Sequence, residues 1–152
     1  MNIIELNERN YPEALRAYKK ARVCYCETLG IDMPDDETIR KSFYGTTGEG
    51  ITYLFTEKGT ANGLVTIDKA SQEIKNLSLD FAALSKPDLN KILEFTLKQF
   101  SAIALVFVWV SSLSGDVISL IEEYGFEYTG EQGYVDKDKF ISDYKYVYRR
   151  KR

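Results

Sequence analysis

Side chains able to do chemistry are few and scattered in this 152-residue chain, and histidine is missing altogether. That absence rules out a Ser-His-Asp or Cys-His nucleophile, a histidine-ligated metal and an imidazole titrating near neutral pH. Cys24 and Cys26 stand two apart in a stretch of helical periodicity, so they project in different directions and cannot pair with each other. They read as buried packing residues of a protein in a reducing compartment, and no metal site is expected. The acidic run Asp35-Asp36-Glu37 could draw an amine, but such charges equally suit the start of a helix. Ser111, Ser112 and Ser114 read as caps at a strand-to-helix junction. The basic end Arg149-Arg150-Lys151-Arg152 stands against a net charge of -3, with no other basic patch, and reads as a solvated tail rather than a nucleic-acid site.

These residues need a scaffold, and the length bounds it. A chain near 150 residues makes one domain, here residues 1-152, that buries roughly 70% of the surface its unfolded form exposes, so disulfide staples are not needed. The N-terminus shows no basic segment followed by an apolar core. The longest apolar run, Ala102 to Val110, is far short of the roughly 20 residues of a membrane helix. A soluble, cytoplasmic protein is expected.

Asn2 to Leu6 reads as a first strand. Asn10 and Glu13 have capping-box spacing, and Ala14, Tyr18, Ala21, Tyr25 and Leu29 recur at helical intervals up to Gly30, a left-handed stop. A shorter helix is expected from Asp35-Asp36-Glu37 to before Gly45. Ile51 to Glu57, Leu64 to Asp68 and Ile74 to Ala83 form an antiparallel meander. Ser85 caps the next helix, Pro87 fits its first turn, and Leu89, Ile92, Leu93, Leu97 and Phe100 make its buried stripe.

Ala102 to Val110 is apolar on both faces and predicts a central strand covered on both sides, with Trp109 in packing. A helix from about Asp116 turns Val117, Leu120, Ile121 and Tyr124 inward and stops at Gly125, with Phe126 folding back. Phe126 to Gly130 and Asp143 to Arg149 are the last strands. Tyr144, Tyr146 and Tyr148 share one face of the final strand, which reads as core or sheet surface or, alternatively, as a homodimer contact. The helix between the strands at Phe81 and Ile103 is a crossover, so those two strands are parallel in an otherwise antiparallel sheet, and such a pair can leave a cleft.

This order, together with Leu120-Ile121-Glu122-Glu123-Tyr124-Gly125-Phe126 and the final strand Asp143-Tyr144-Lys145-Tyr146-Val147-Tyr148, resembles the GCN5-related N-acetyltransferase (GNAT) superfamily. Asn62-Gly63-Leu64-Val65 is similar to that family's third strand. The resemblance covers essentially the whole chain and implies an α/β fold of the acyl-CoA N-acyltransferase type: a mixed, mostly antiparallel sheet flanked by four helices. It also implies acetyl-CoA as cofactor, bound at Phe81, Ser85 and Lys86, and an amine acceptor, either a small molecule or a protein, with neither nucleic acid nor membrane as partner.

The family's phosphate-binding phrase, (Q/R)xxGx(G/A), falls on Leu84-Ser85-Lys86-Pro87-Asp88-Leu89. Leu84 replaces the polar residue, Pro87 brings no N–H, Leu89 is bulky, and Asp88 sets a carboxylate at the positive end of the helix. Losing two charge-assisted hydrogen bonds at about 1.5–3 kcal/mol each would weaken the cofactor by roughly 10²–10⁴-fold. The tyrosine that many family members use to protonate the leaving thiolate is Ile121 here; Tyr124 lies about 60° away round the helix, and Asp80 is the one carboxylate near the end of the fourth strand. No catalytic residue is assigned. Two readings follow: an acyl-CoA-dependent N-acetyltransferase with a divergent cofactor site, or a catalytically silent GNAT-like binding or dimerisation module.

Overall fold

The computed structural model describes residues 1–102, 104–136 and 141–150. Lys151 and Arg152 of the basic end, Ile103 and the link 137–140 lie outside the described residues. The elements are β1 (Asn2–Glu5), α1 (Tyr11–Leu29), α2 (Asp36–Thr47), β2 (Ile51–Glu57), β3 (Thr60–Asp68), β4 (Glu73–Leu79), α3 (Lys86–Lys98), β5 (Leu105–Ser111), α4 (Gly115–Tyr124), β6 (Glu127–Asp136) and β7 (Ile141–Arg149). The strands form one seven-stranded sheet in the order β1-β2-β3-β4-β5-β7-β6. All neighbours are antiparallel except β4 and β5, which are parallel as the crossover requires.

Adjacent residues of one strand divide between two cores, as the two-residue period of a strand demands. Leu54 and Leu64 join Ala14, Tyr18, Ile39 and Phe43 beneath α1 and α2. Their neighbours Phe55 and Val65 face the other way, into the core closed by Leu89, Ile92 and Leu93 of α3 and Leu120 and Ile121 of α4. The helices therefore cover the sheet in pairs, α1 with α2 on one face and α3 with α4 on the other.

Helix ends follow local chemistry. Gly30 (φ 66°) and Gly125 (φ 112°) sit in the left-handed region at the ends of α1 and α4. Phe126 donates its N–H to Ile121 O at 2.9 Å and is buried, the expected fold-back. Asp35 accepts from Thr38 N–H at 2.8 Å and caps α2, and Ser85 accepts from Asp88 N–H at 3.3 Å and caps α3.

Several expectations are corrected. Asn10 makes no side-chain cap, because its Oδ1 accepts from Asn7 N–H, while Glu13 binds Arg16 and the Ala61 N–H of β3 at 2.8 Å. The capping box is thus replaced by a tether from α1 to the sheet. α2 runs through Gly45 and stops at Gly48. β3 starts at Thr60, because Lys58 (φ 50°) and Gly59 (φ 82°) make a two-residue hairpin turn in place of a six-residue loop. β4 ends at Leu79, since Asp80 then turns the chain by accepting the N–H groups of Ala82, Ala83 and Leu84. β5 spans Leu105–Ser111, and only one face is fully covered: Val106, Val108 and Val110 are buried, but Trp109 is 38% exposed. β6 continues to Asp136 past an irregularity between Tyr128 and Gln132 that a strand ending at Gly130 does not anticipate. Cys24 is exposed and Cys26 buried, both as free thiols.

Candidate functional site

The parallel pairing of β4 with β5 covers only two positions, Glu73 with Phe107 and Ile74 with Val108. The next residue, Lys75, is also unmatched on β3, where the register passes from Thr66–Asn76 to Ile67–Ile74. An extra residue of this kind bends and twists its strand. β4 therefore turns away from β5 immediately after their last contact, and the strands part around Asn76, Ser78, Trp109 and Ser111.

The groove so opened is roofed by α1 and ends at the first turn of α4. One cavity in it, of about 190 Å³, is lined by Lys20, Ala21 and Cys24 of α1 with Leu79, Asp80 and Phe81 below. A second, of about 220 Å³, continues past Ala21 and Tyr25 to Ser114 and Asp116. A third, of about 320 Å³ and more polar, follows between α1, α2 and the middle of β4, and shares Ala21, Tyr25, Leu77 and Ser78 with the second. Together they run beneath α1 from Asp80 to Lys75.

Among the expected cofactor residues, Phe81 lines the groove. Ser85 and Lys86 stand together at the start of α3, but both are engaged: the Ser85 hydroxyl by the Asp88 N–H, and the Lys86 ammonium by Glu123 of α4. The local backbone has few spare donors. Asp80 takes the N–H groups of residues 82 to 84, Pro87 has none, and Leu89 donates to Ser85 O. Between residues 82 and 89 this leaves the N–H groups of Ser85 and Lys86 without a partner among the described residues. Leu84 and Leu89 are buried, so the residues that displace the phosphate-binding phrase anchor α3 in the core. For acetyl-CoA the fit is divided: the groove's apolar walls suit a pantetheine arm, whereas its pyrophosphate would find two backbone donors and one lysine.

Ile121 is fully buried, and Tyr124 opens onto a different cavity beside Glu94, Leu97 and Tyr148. Tyr124 is therefore no substitute acid in the groove. Asp80 is held below the usual carboxylate range by the Lys20 ammonium at 2.6 Å, against burial and helped by the N–H groups of Ala82 and Ala83. A carboxylate stabilised in this way is a poor proton acceptor. Asp36 is paired with Lys19, and Glu37 with Lys41 at 3.2 Å, so the acidic run is consumed by capping and ion pairs. Ser114 precedes α4 without a side-chain cap, and Ser111 Oγ accepts from Leu113 N–H at 3.2 Å. Tyr146 is buried and gives its hydroxyl to Glu122 at 2.9 Å; its hydroxyl is pushed up to about 12, first by burial and then by that carboxylate. Tyr144 and Tyr148, partly buried, pack against the edge of the same core.

Tyr25, read from the sequence only as part of a helical stripe, stands beside the groove with two charged residues that the sequence did not single out. Tyr25, on the inner face of α1, is half-buried, and its hydroxyl is raised first by burial and then by the Asp143 carboxylate. Asp143 lies on β7 opposite Ser111, on the face turned away from Tyr144 and Tyr146, and burial raises its carboxyl. The Arg22 guanidinium rests over the Tyr25 ring at 4.7 Å. Only an excess of polar groups on an otherwise apolar helix stripe hints at this in the sequence; the grouping itself joins α1 to β7, more than a hundred positions apart.

No protein-family profile matches the chain, and no curated protein matches it. Solved structures do. The protein smu.2055 of Streptococcus mutans superposes with a TM-score of 0.73 at 12% identity, over 98% of this chain and 99% of that one. The ribosomal-protein-S18-alanine N-acetyltransferase of Escherichia coli gives 0.69 at 16% identity, over 97% and 92%. A GNAT-family acetyltransferase of Bacillus cereus gives 0.67 at 12% identity, over 99% and 98%. With a seven-stranded mixed sheet, paired helices on each face and a groove where β4 and β5 part, the chain has the fold of the GNAT acetyltransferases.

Proposed function

We propose that the chain, as a single domain, is an acyl-CoA-dependent N-acetyltransferase acting on an amine, with a divergent cofactor site. The observation that carries this reading is the parting of β4 from β5 after two paired residues, which opens a groove lined by Phe81 and roofed by α1. Acetyl-CoA would supply a thioester whose acetyl carbon bonds to the amine nitrogen as the C–S bond breaks, the thiol taking up the proton the nitrogen gives up. Phe81 packs against the arm of the cofactor. The Ser85 and Lys86 N–H groups and the Lys86 ammonium hold its phosphates once Glu123 releases the lysine. Tyr25 keeps its proton at neutral pH, the form a leaving thiolate needs, and water serves as base. The exposed thiol of Cys24 fits a reducing, cytoplasmic compartment.

Thermal melting with acetyl-CoA tests the reading. Saturation at 100 times the dissociation constant should add about 2.7 kcal/mol, several degrees for a chain of this size. Lys86→Glu should reduce the shift and Glu123→Gln should enlarge it, each by a few-fold in affinity. No stabilisation at millimolar acetyl-CoA would leave the silent binding module as the better account.

The role given to Tyr25 has its own check. Tyr25→Phe should slow thiol release at least tenfold while the acetyl-CoA melting shift is retained. An unchanged rate would remove Tyr25 from the reaction.

A further inference from the structure

The polar cavity at the far end of the groove has walls suited to one kind of group. Its lining includes Tyr18, Arg22, Ser42, Thr46, Lys75 and Asn76, and no carboxylate. Lys75 is already neutralised, by Glu73 at 2.8 Å and Glu49 at 3.7 Å. Arg22 is less engaged: among the described residues its guanidinium makes no hydrogen bond or close ion pair, but it rests over the Tyr25 ring and faces the Asp143 carboxylate, whose protonation it opposes. Asn76 is 92% buried, and its Oδ1 accepts from Ser78 Oγ at 2.6 Å, while its Nδ2 is buried without a partner. A buried amide donor left unpaired costs about 1–3 kcal/mol, so its natural complement is an oxygen acceptor. A planar guanidinium is matched by the two oxygens of a carboxylate.

Charge selects among oxyanions. Arg22 and Asp143 of β7, on the sheet face turned toward α1, together present one positive and one negative charge, which a group carrying both an acid and an ammonium matches and a phosphate dianion does not. A carboxylate is therefore favoured over a phosphate dianion. The cavity shares Tyr25, Leu77 and Ser78 with the one that reaches the parted strands. A small molecule held by its acid at Arg22 would thus extend its other end toward the place where the acetyl group arrives, with Asp143 near its ammonium.

We propose that this cavity seats the carboxylate of the acyl acceptor, so that the substrate is an amine that also carries an acid group, as a free amino acid does. The inference rests on the transferase reading above, since it names the acceptor of that same groove.

The test uses matched pairs, glycine against glycinamide, alanine against alaninamide and phenylalanine against phenylalaninamide, each measured for binding by saturation-transfer NMR and for acetylation by mass spectrometry. At least one acid should bind ten times or more tighter than its amide. Arg22→Met should erase that preference without altering the melting temperature, and Arg22→Glu should turn it toward the amide. Equal binding of acid and amide, a preference that survives Arg22→Met, or no binding by any member of the panel would overturn the proposal. Stabilisation by acetyl-CoA with equal use of acids and amides would sink this inference and leave the transferase reading standing. Acid-selective binding with no response to acetyl-CoA would sink the transferase reading, and with it the acceptor role proposed here, leaving only a carboxylate-binding cavity.

Discussion

Phe43→Ala is expected to lower the unfolding free energy by about 3–5 kcal/mol, the range found when a buried aromatic is truncated. Phe43 is fully buried, and its ring meets Tyr11 at 5.3 Å and Tyr18 at 4.9 Å between centroids. It is the point at which α2 holds α1 against Leu54 and Leu64 of the sheet. Removing it leaves a void on this face while the core beneath α3 and α4 keeps its contacts. For about 150 residues such a loss is roughly a 10 °C drop in melting temperature. Because α1 roofs the groove, ligand binding should weaken as well, and heteronuclear NMR should show the α1 and α2 resonances broadened more than those of α3. A drop below about 1 kcal/mol would mean that α1 is held chiefly by the tether of Glu13 to Ala61.

That tether illustrates where the sequence stops being readable. Asn10 and Glu13 have the right types and spacing for a capping box, yet Glu13 is taken by Arg16 and by a backbone N–H on β3, 48 positions away. Local signals that have no strong tertiary competitor held: the stops at Gly30 and Gly125, the Ser85 cap, the limits of β2 and the parallel β4–β5 pair. The apolar character of β5 was legible, but not which face would be covered. Phe107 and Trp109 look like core, yet they lie under the Lys145 ammonium, 4.6 and 5.8 Å from the ring centroids, on the side where no helix fully covers β5.

The site was legible in a narrower sense. A groove between parallel strands followed from the order of elements, and Phe81 lines it. The weakness of the phosphate end was also readable, because Pro87 lacks an N–H whatever surrounds it. What the sequence did not disclose is that Asp80 would absorb three more backbone donors and that Glu123 would take Lys86. Arg22, Asn76 and Asp143 were equally hidden, since each belongs to a different element and only the bend in β4 at Lys75 brings the first two to one cavity.

Ala21→Trp should abolish ligand binding while sparing the fold, and it separates the groove from every other surface. Ala21 lines all three cavities beneath α1. It is only partly buried, and the change from alanine to tryptophan in a helix costs well under about 1 kcal/mol of propensity. An indole is the bulkiest side chain available and would take the space shared by the cofactor's arm and the acceptor. Denying a ligand that apolar wall is worth about 2–3 kcal/mol, or roughly a hundredfold in affinity. Melting without ligand should therefore change by no more than a few degrees, while the shift with acetyl-CoA and any acid-selective binding disappear together. If acetyl-CoA still stabilised the variant fully, the cofactor would lie outside the β4–β5 groove. If the acid were lost and acetyl-CoA kept, the two would occupy separable parts of it, with the acceptor confined to the Arg22 end. Phe43→Ala weakens both ligands through the scaffold and Ala21→Trp blocks them by volume alone, so the pair distinguishes a groove that must be held open from one that must merely be empty.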